Sequence, residues 1–474
     1  MREQLWSGLG LFGPLKARAS GALASGVGGV SIDTRTLEPG DLFFAIKGDA
    51  SDGHDYVRAA FEKGAAAAVI DEAHADALAG SGPLYVVRDT LAAMRGLGAA
   101  ARERSQARII AVTGSAGKTS TKEALRTVLS KFGATHASAA SYNNHWGVPL
   151  SLARMPATAR FGVFEIGMNH AGEITPLVDM VRPHVAVITT VEPVHIGNFP
   201  DGIVGIAEAK AEILKGLVPG GTAALPRDNP HFPLLRERAN EVGAKILTFG
   251  FDPEAEVRCI QMDTGPRGSS VIAGFDTQRF SYKIGAPGEH YVRNSLAVLA
   301  VVLALRADAM SALKALSRVV APAGRGERTL LQGKAGSVLL VDESFNANPA
   351  SVRAALAALG MTPRADHPRR IAVLGDMLEI GAASPDVHRA LKEAVDASGA
   401  DLVFACGPMM RLLFEALDAS KQGAWAETST KLVAPLLERL QSGDVVMIKG
   451  SRGTRMAPIV EAVRQRFGSD PGGD

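Results

Sequence analysis

The run Thr113-Gly-Ser-Ala-Gly-Lys-Thr119 sits between an apolar stretch, Ile109-Ile-Ala-Val112, and a helix-forming one, Thr121-Lys-Glu-Ala-Leu-Arg126. Glycines in such a turn let backbone N–H groups converge on phosphate oxygens, and the helix that follows presents the positive end of its dipole. Lys118 supplies a phosphate-neutralising charge and the Thr119 hydroxyl a ligand for magnesium. The segment Thr113, Gly114, Ser115, Ala116, Gly117, Lys118 and Thr119 therefore predicts binding of a nucleoside triphosphate. The general pattern G-x-x-x-x-G-K-[ST] is met except at its first glycine, where Val112 stands. Two further residues are candidates for holding a metal, and a hard cation such as magnesium prefers oxygen ligands, so a carboxylate with a hydroxyl suits it. Glu165 closes the apolar run Phe161-Gly-Val-Phe164, and His195 lies in Thr189-Thr-Val-Glu-Pro-Val-His-Ile-Gly-Asn198. A histidine is a less usual ligand for such an ion, and taken alone His195 reads more readily as a hydrogen-bonded structural histidine. Lys210 breaks a rule: in the expected helix Ile203 to Leu217 the stripe Ile203, Ile206, 210, Ile213, Leu217 has the 3,4 spacing of one buried face, and lysine occupies its middle. Either its ammonium snorkels out to solvent, or it is placed at the site to meet an anion or to be chemically modified.

These residues need a scaffold, and the alternation of short apolar runs with longer helical patterns supplies one. From Ile109 onward it predicts an α/β chain with mostly parallel sheets covered on both faces. Expected strands are Ile109 to Val112, Phe161 to Phe164, Val185 to Thr189, Val338 to Val341, Ile371 to Leu374, Leu402 to Ala405 and Val445 to Ile448. Between the two groups, Pro219 to Gly285 reads as turns and antiparallel strands, followed by an apolar helix from Asn294 to Leu305. The glycine-rich loop Ala321 to Gly326 marks a boundary. The first hundred residues carry a helix near Tyr56 to Lys63 and a strand at Ala67 to Ile70, a smaller α/β unit. Three domains follow: 1–106, a central phosphate-loop domain 107–321, and a Rossmann-like C-terminal domain 322–474. In open parallel sheets ligands bind outside the carboxyl ends of strands. Glu165, Asp342, Asp376 and Lys449 stand there, with His195 a few residues past another strand.

Composition limits the alternatives. The 474 residues suffice for about three domains. Lys+Arg 51 against Asp+Glu 49 leaves a net charge of +2, so nothing suggests a nucleic-acid-binding or membrane-binding surface. The longest clean apolar run, Leu296 to Leu305, is half of the ~20 residues a membrane span needs. Met1 to Leu15 does not read as a signal peptide. Cys259 and Cys406 have no metal-ligand spacing and read as core thiols of a reducing compartment, so a cytoplasmic protein is expected. The tail Gly468 to Asp474 is expected to be disordered.

The motifs, in their order, resemble those of the Mur ligase family, ATP-dependent amide ligases of bacterial cell-wall synthesis. The resemblance spans nearly the whole chain and rests on Thr113 to Thr119, Ser141-Tyr-Asn-Asn144, Glu165-Ile-Gly-Met-Asn-His170, His195, Ala209-Lys-Ala-Glu-Ile213 and Gly288-Glu-His-Tyr-Val-Arg-Asn294. It implies ATP and Mg2+ as cofactors, with Thr119, Glu165, His195 and a carbamylated Lys210 holding metal, and Lys118, Glu165, His195 and Lys210 as the catalytic set. Asn294 would contact adenine, Arg325 would approach the phosphates, and Asp342 would meet a ribose hydroxyl or orient the incoming amine. Asp342-Glu-Ser-Phe-Asn-Ala-Asn-Pro349, Leu374-Gly-Asp-Met-Leu-Glu379 and Lys449-Gly-Ser-Arg-Gly-Thr-Arg455 are similar to the family member that takes D-alanyl-D-alanine. The Asp-Asn-Pro-Arg motif of the member that adds the third residue is absent.

The N-terminal run Ser31 to Arg35, Pro39 to Gly48 and Asp52 to Asp55 is similar to a UDP-binding domain. The resemblance thus implies UDP-N-acetylmuramoyl-tripeptide and D-alanyl-D-alanine as partners of a monomer. Ser31, Thr34, Arg35, Lys47, Asn143, Asn144, Asn346, Asn348, Lys449 and Ser451 would contact these substrates. Thr190 departs from the family's usual asparagine. Other readings are a related ligase, such as the third-residue-adding member or a folylpolyglutamate synthase, and a nucleotide-binding switch or transporter-coupled ATPase. The last has little use for the N-terminal segment.

Overall fold

The computed structural model describes residues 3–48, 51–139, 141–194, 196–265 and 268–468. Most of the expected tail, residues 469–474, falls outside them. Three larger sheets and a short two-stranded ribbon, Trp6–Ser7 with Gly26–Val27, organise the described residues. The N-terminal sheet has five strands in the order Arg18–Ser20, Leu84–Val87, Ala67–Asp71, Asp41–Phe44, Gly29–Ser31, parallel except at the Arg18–Ser20 edge.

The central sheet has nine strands. Thr135–Ala137, Phe161–Glu165, Arg108–Thr113, Val185–Ile188, Thr222–Pro226, Lys245–Gly250 and Val257–Gly265 run parallel in that order. Gly268–Phe275 and Gln278–Ile284 then add antiparallel pairs. Arg108–Thr113 is buried on both faces, which is why it reads as an uninterrupted apolar run. Ile110 and Val112 join the cluster that holds Leu125, Val128 and Leu296, while Ile109 and Ala111 join the one that holds Val148, Leu152 and Ile206. The chain leaves Arg108–Thr113 toward one edge, returns through Phe161–Glu165, then crosses to Val185–Ile188 on its other side. The direction of winding reverses beside the phosphate loop, which opens a crevice there.

Part of the sequence expectation is corrected here. Pro219 to Gly285 is not all turns and antiparallel strands: Thr222–Pro226, the helix Phe232–Glu241 and Lys245–Gly250 form a parallel β-α-β unit. Thr222-Ala-Ala-Leu-Pro226 lacks the β-branched and aromatic density that marks strands, and tertiary pairing overrides that weak preference. The apolar helix starts earlier than Asn294, at Glu289, after Gly288 at φ 108°. The helix of Lys210 is α-helical over Gly202–Ala211 and tightens to a 3-10 turn over Glu212–Gly216.

The C-terminal sheet has six strands in the order Glu327–Gly333, Gly336–Glu343, Val445–Lys449, Arg370–Gly375, Leu402–Cys406, Gln422–Ala426, parallel except at Glu327–Gly333. Among the described residues no helix is long and apolar enough to cross a membrane.

Candidate functional site

The phosphate loop is a preformed cradle. Gly114 and Gly117 sit at φ 148° and 81°, conformations that L side chains rarely adopt. A Cβ on Gly114 would fall 1.9 Å from Thr189 Oγ1, and one on Gly117 would fall 2.7 Å from Asn294 Oδ1. The loop is also tied to its neighbour. The Ser115 N–H donates to the Thr190 carbonyl (2.9 Å), the Ser115 hydroxyl donates to the Glu192 carbonyl (2.9 Å), and Thr189 Oγ1 donates to the Ala116 carbonyl (2.5 Å). Thr190 thus serves the loop with its backbone, while its hydroxyl donates to Glu192 Oε1 at 2.9 Å. Lys118 opens the helix Lys118–Leu129 and donates to the Gly114 carbonyl at 2.7 Å. Burial pulls its ammonium below the ordinary lysine range; Glu165 opposes that shift and Arg325 adds to it, so all three charges share one neighbourhood.

Glu165, fully buried at the end of its strand, is the hub. Its Oε2 accepts from the Thr119 hydroxyl at 2.8 Å and its Oε1 from Asn143 Nδ2 at 2.8 Å. A hydroxyl and a carboxylate at contact distance form the oxygen-rich donor set that magnesium prefers. Lys210 is 4% exposed, which excludes snorkelling. Burial depresses its ammonium well below the ordinary range, and the charge of Lys118 pushes the same way. Asn294 is buried with its Nδ2 lacking a hydrogen-bond partner, and so is the Thr113 hydroxyl. Orphaned polar atoms beside a glycine cradle fit a polar ligand such as a nucleotide.

The loop Ser141 to Trp146 joins the three sheets. Arg325 donates to Ser141 Oγ at 3.3 Å, stacks 4.0 Å from the Phe345 ring centroid, and accepts from the Tyr291 hydroxyl through its carbonyl at 2.8 Å. From the N-terminal side Arg154 donates to the Val30 carbonyl at 2.6 Å and lies over Tyr142, while Gly48 abuts Trp146. Asn144 Oδ1 caps the helix Gly147–Ala153 through the Trp146 and Gly147 N–H groups.

Of the remaining expected residues, Ser31 is buried and its hydroxyl closes a turn with the backbone of Asp33. Arg35 is exposed and forks onto the Asp33 carboxylate at 2.6 Å. The Thr34 carbonyl accepts from Lys63 at 2.8 Å, and Lys47 makes a backbone bridge with Asp52. Asp342 accepts from the Ser344 N–H and hydroxyl and lies 3.6 Å from Arg464. Lys449 is buried, 3.2 Å from Glu343 Oε2, and donates to the Asn346 carbonyl. Ser451 donates to the Ala347 carbonyl and accepts from the Leu378 N–H. Asn348 caps the helix Pro349–Gly360 in a reciprocal box with Ser351. His195 lies outside the described residues.

Two residues beside the site escaped the sequence reading. Lys122 has no exposed side-chain surface and lies 4.0 Å from Glu165 Oε2. Its signal is the one that exposed Lys210: it continues the buried stripe of Leu125 and Leu129. His290, one turn before Asn294, lies within electrostatic range of both Glu343 and Lys449 across the junction with the C-terminal sheet. A histidine at the start of an apolar helix carries no such signal.

The Mur ligase middle domain pattern matches residues 112–302, the Mur ligase glutamate ligase domain pattern residues 324–452, and the Mur ligase family catalytic domain pattern residues 26–128. The chain belongs to the Mur ligase family. Among Mur ligases it is 33% identical to the UDP-N-acetylmuramoyl-tripeptide--D-alanyl-D-alanine ligase of Escherichia coli, over 92% of this chain and 93% of that one. It is 34% identical to the ligase of the same name from a Synechocystis species, over 92% and 91%. A crystal structure of MurF from Acinetobacter baumannii superposes with a TM-score of 0.82 at 29% identity, covering 98% of this chain and 99% of that one.

Proposed function

We propose that this Mur ligase joins D-alanyl-D-alanine to UDP-N-acetylmuramoyl-tripeptide at the expense of ATP, releasing ADP and phosphate in the cytoplasm. The observation that carries the reading is the contact of Thr119 with Glu165 at 2.8 Å, directly after the phosphate loop and in the electrostatic range of Lys118 and Arg325. Curated relatives of that name, matched along more than nine-tenths of the chain, support the choice of substrates.

The free carboxylate of the tripeptide attacks the γ-phosphorus of ATP, giving an acyl phosphate and ADP. The amine of D-alanyl-D-alanine then attacks the acyl carbon, a proton leaves the nitrogen, and phosphate departs. The protein's share is positioning and charge neutralisation. Loop N–H groups and Lys118 hold the β- and γ-phosphates, and Arg325 adds a second cation from the C-terminal side. Asn294, whose Nδ2 lacks a partner, faces the nucleotide; Asp342 contacts a ribose hydroxyl or orients the amine. Thr119 and Glu165 are the residues that would hold Mg2+, with His195 and Lys210 contributing to a second site; bound there, the ion offsets charge between phosphate and carboxylate. Lys210 suits carbamylation because a buried lysine favours the neutral amine, whose nitrogen lone pair bonds to carbon dioxide with loss of a proton. The product is an anion, which the positive charge of Lys118 favours where it disfavours an ammonium. We assign residues 1–106 to the nucleotide sugar, 107–321 to ATP and 322–474 to the incoming amine.

The test is an acceptor screen. Purified protein is given ATP, Mg2+ and the UDP-sugar tripeptide, and phosphate release is followed with candidate amines. Release stimulated by D-alanyl-D-alanine and not by diaminopimelate, lysine or glutamate is expected. Stimulation by one of the latter overturns the choice of acceptor, and acceptor-independent hydrolysis overturns the ligase reading.

A further inference from the structure

Lys122 is a lysine without exposed surface in a protein with ample surface to offer one. Its Nζ donates to the Ser138 carbonyl at 2.7 Å, pairs with Glu123 Oε1 at 3.0 Å and lies 4.0 Å from Glu165 Oε2. Ser138 follows the edge strand Thr135–Ala137. Its N–H donates to the Val163 carbonyl at 3.0 Å, and its hydroxyl accepts from the Glu165 N–H at 3.4 Å. Lys122 therefore reaches, from the helix that begins at Lys118, the ends of two neighbouring strands, one of which carries Glu165. A buried charge is retained only with partners that offset its desolvation. Glu123 pairs with the ammonium more closely than Glu165 does, so the effect on Glu165 is mechanical as much as electrostatic: Lys122 faces Oε2, the same carboxylate oxygen that Thr119 touches, and through Ser138 it holds the backbone of that strand end.

We propose that Lys122 is a positioning residue that presents Glu165 to magnesium. This rests on the reading of Glu165 as a magnesium ligand given above. Groups that orient a metal ligand are worth about 10- to 100-fold in metal affinity. Their loss appears in the concentration of ion required rather than in the maximal rate. Lys122 serves Glu165 at Oε2, as Asn143 does at Oε1, and a methionine of similar length would fill the same space without gripping Ser138 or facing the carboxylate.

The experiment titrates Mg2+ into the full-length protein saturated with ADP, by calorimetry, and in parallel measures the dependence of ligase rate on Mg2+. Lys122→Met is expected to weaken Mg2+ binding and raise the half-saturating Mg2+ concentration about 10- to 100-fold, with most of the loss carried by that concentration. Unchanged or tighter Mg2+ binding, or an equal fall in rate at every Mg2+ concentration, overturns the proposal. Glu165→Gln run beside it separates the two claims. If Glu165→Gln leaves Mg2+ binding as in the wild type, the assignment of Glu165 fails. If Glu165→Gln abolishes binding and Lys122→Met changes nothing, only the inference about Lys122 fails. Should Lys122→Met not fold, thermal denaturation of Lys122→Met/Glu165→Gln decides. Recovery of a folded protein is expected because Glu123 keeps Arg126 as its partner and the buried Glu165 carboxylate that lost Lys122 is neutralised, and failure to recover overturns the coupling.

Discussion

The central and C-terminal sheets place acidic residues at the same structural address, the carboxyl end of a buried parallel strand, and use them differently. Glu165 ends Phe161–Glu165 and takes its bonds from side chains of other elements: the Thr119 hydroxyl and the Asn143 amide. Asp376 follows Arg370–Gly375 and accepts from the backbone N–H groups of Met409 and Met410, the first turn of the helix Pro408–Ala416. Its carboxylate is a helix cap reached from a neighbouring strand, and Gly407 is required beside it because a Cβ there would lie 2.4 Å from Asp376 Cγ. Asp342 is intermediate, with one oxygen engaged by Ser344 and the other facing Arg464. A strand-end acid is a binding group when its partners are side chains that a ligand can replace. It is a structural one when its partners are backbone donors that have no other acceptor.

The largest effect should come from the central side. Lys118→Ala removes the only lysine on the phosphate loop and is expected to lower kcat/KM by about 1,000-fold. The melting temperature should barely move, because the one bond lost is that to the Gly114 carbonyl. Activity near wild type would remove the loop from the mechanism. Lys210→Ala is expected to follow, with a loss of about 100-fold that acetate or formate partly restores by standing in for the carbamate. Full activity without additives would leave Lys210 a buried oddity. Its depressed ammonium carries a second consequence. A lysine held below its unfolded value costs stability wherever the unfolded chain would be charged. Lys210→Met should therefore melt higher than the unmodified wild type in carbon-dioxide-free buffer at neutral pH, and the gap should shrink as pH rises toward the ordinary lysine range. A lower melting temperature at neutral pH would mean that the lysine is compensated by a partner.

The contrast explains what could be read from the chain alone. The strands that carry the central site were legible because both their faces are buried, and the phosphate loop because its glycines must adopt conformations closed to other residues. Lys210 was legible as a break in a hydrophobic stripe. Lys122 breaks its own stripe in the same way, but the adjacent phosphate-loop motif accounts for a local excess of polar residues and masks it. Thr222–Pro226 was not legible as a strand because it lacks β-branched and aromatic density, and the parallel direction of Lys245–Gly250 comes from its pairing with Thr222–Pro226 rather than from its own composition. In the C-terminal sheet the polar strand ends were visible, but whether an acid meets a ligand or a helix terminus depends on where Pro408–Ala416 lies, and no local spacing encodes that.

Smaller effects test the structural side. Asp376→Ala should cost about 2 kcal/mol of stability, the upper end for loss of a helix cap. The KM for ATP should stay at its wild-type value. An altered KM at unchanged stability would return Asp376 to the ligand.

Asn348→Ala is the most delicate case, because the family resemblance assigns Asn348 to substrate while its side chain accepts from the Ser351 N–H at 2.8 Å and its own N–H donates to Ser351 Oγ at 3.0 Å. Removing an asparagine N-cap costs about 1 kcal/mol, and Asn348→Asp or Asn348→Ser, which keep an acceptor at the cap, should recover most of it. If capping is its whole role, all three variants keep the wild-type KM for D-alanyl-D-alanine well below the melting transition. If the amide also touches substrate, the aspartate and serine variants restore the melting temperature and leave KM raised. The separation is possible because the capping oxygen and the amide nitrogen of Asn348 are on one side chain, and the helix engages the oxygen.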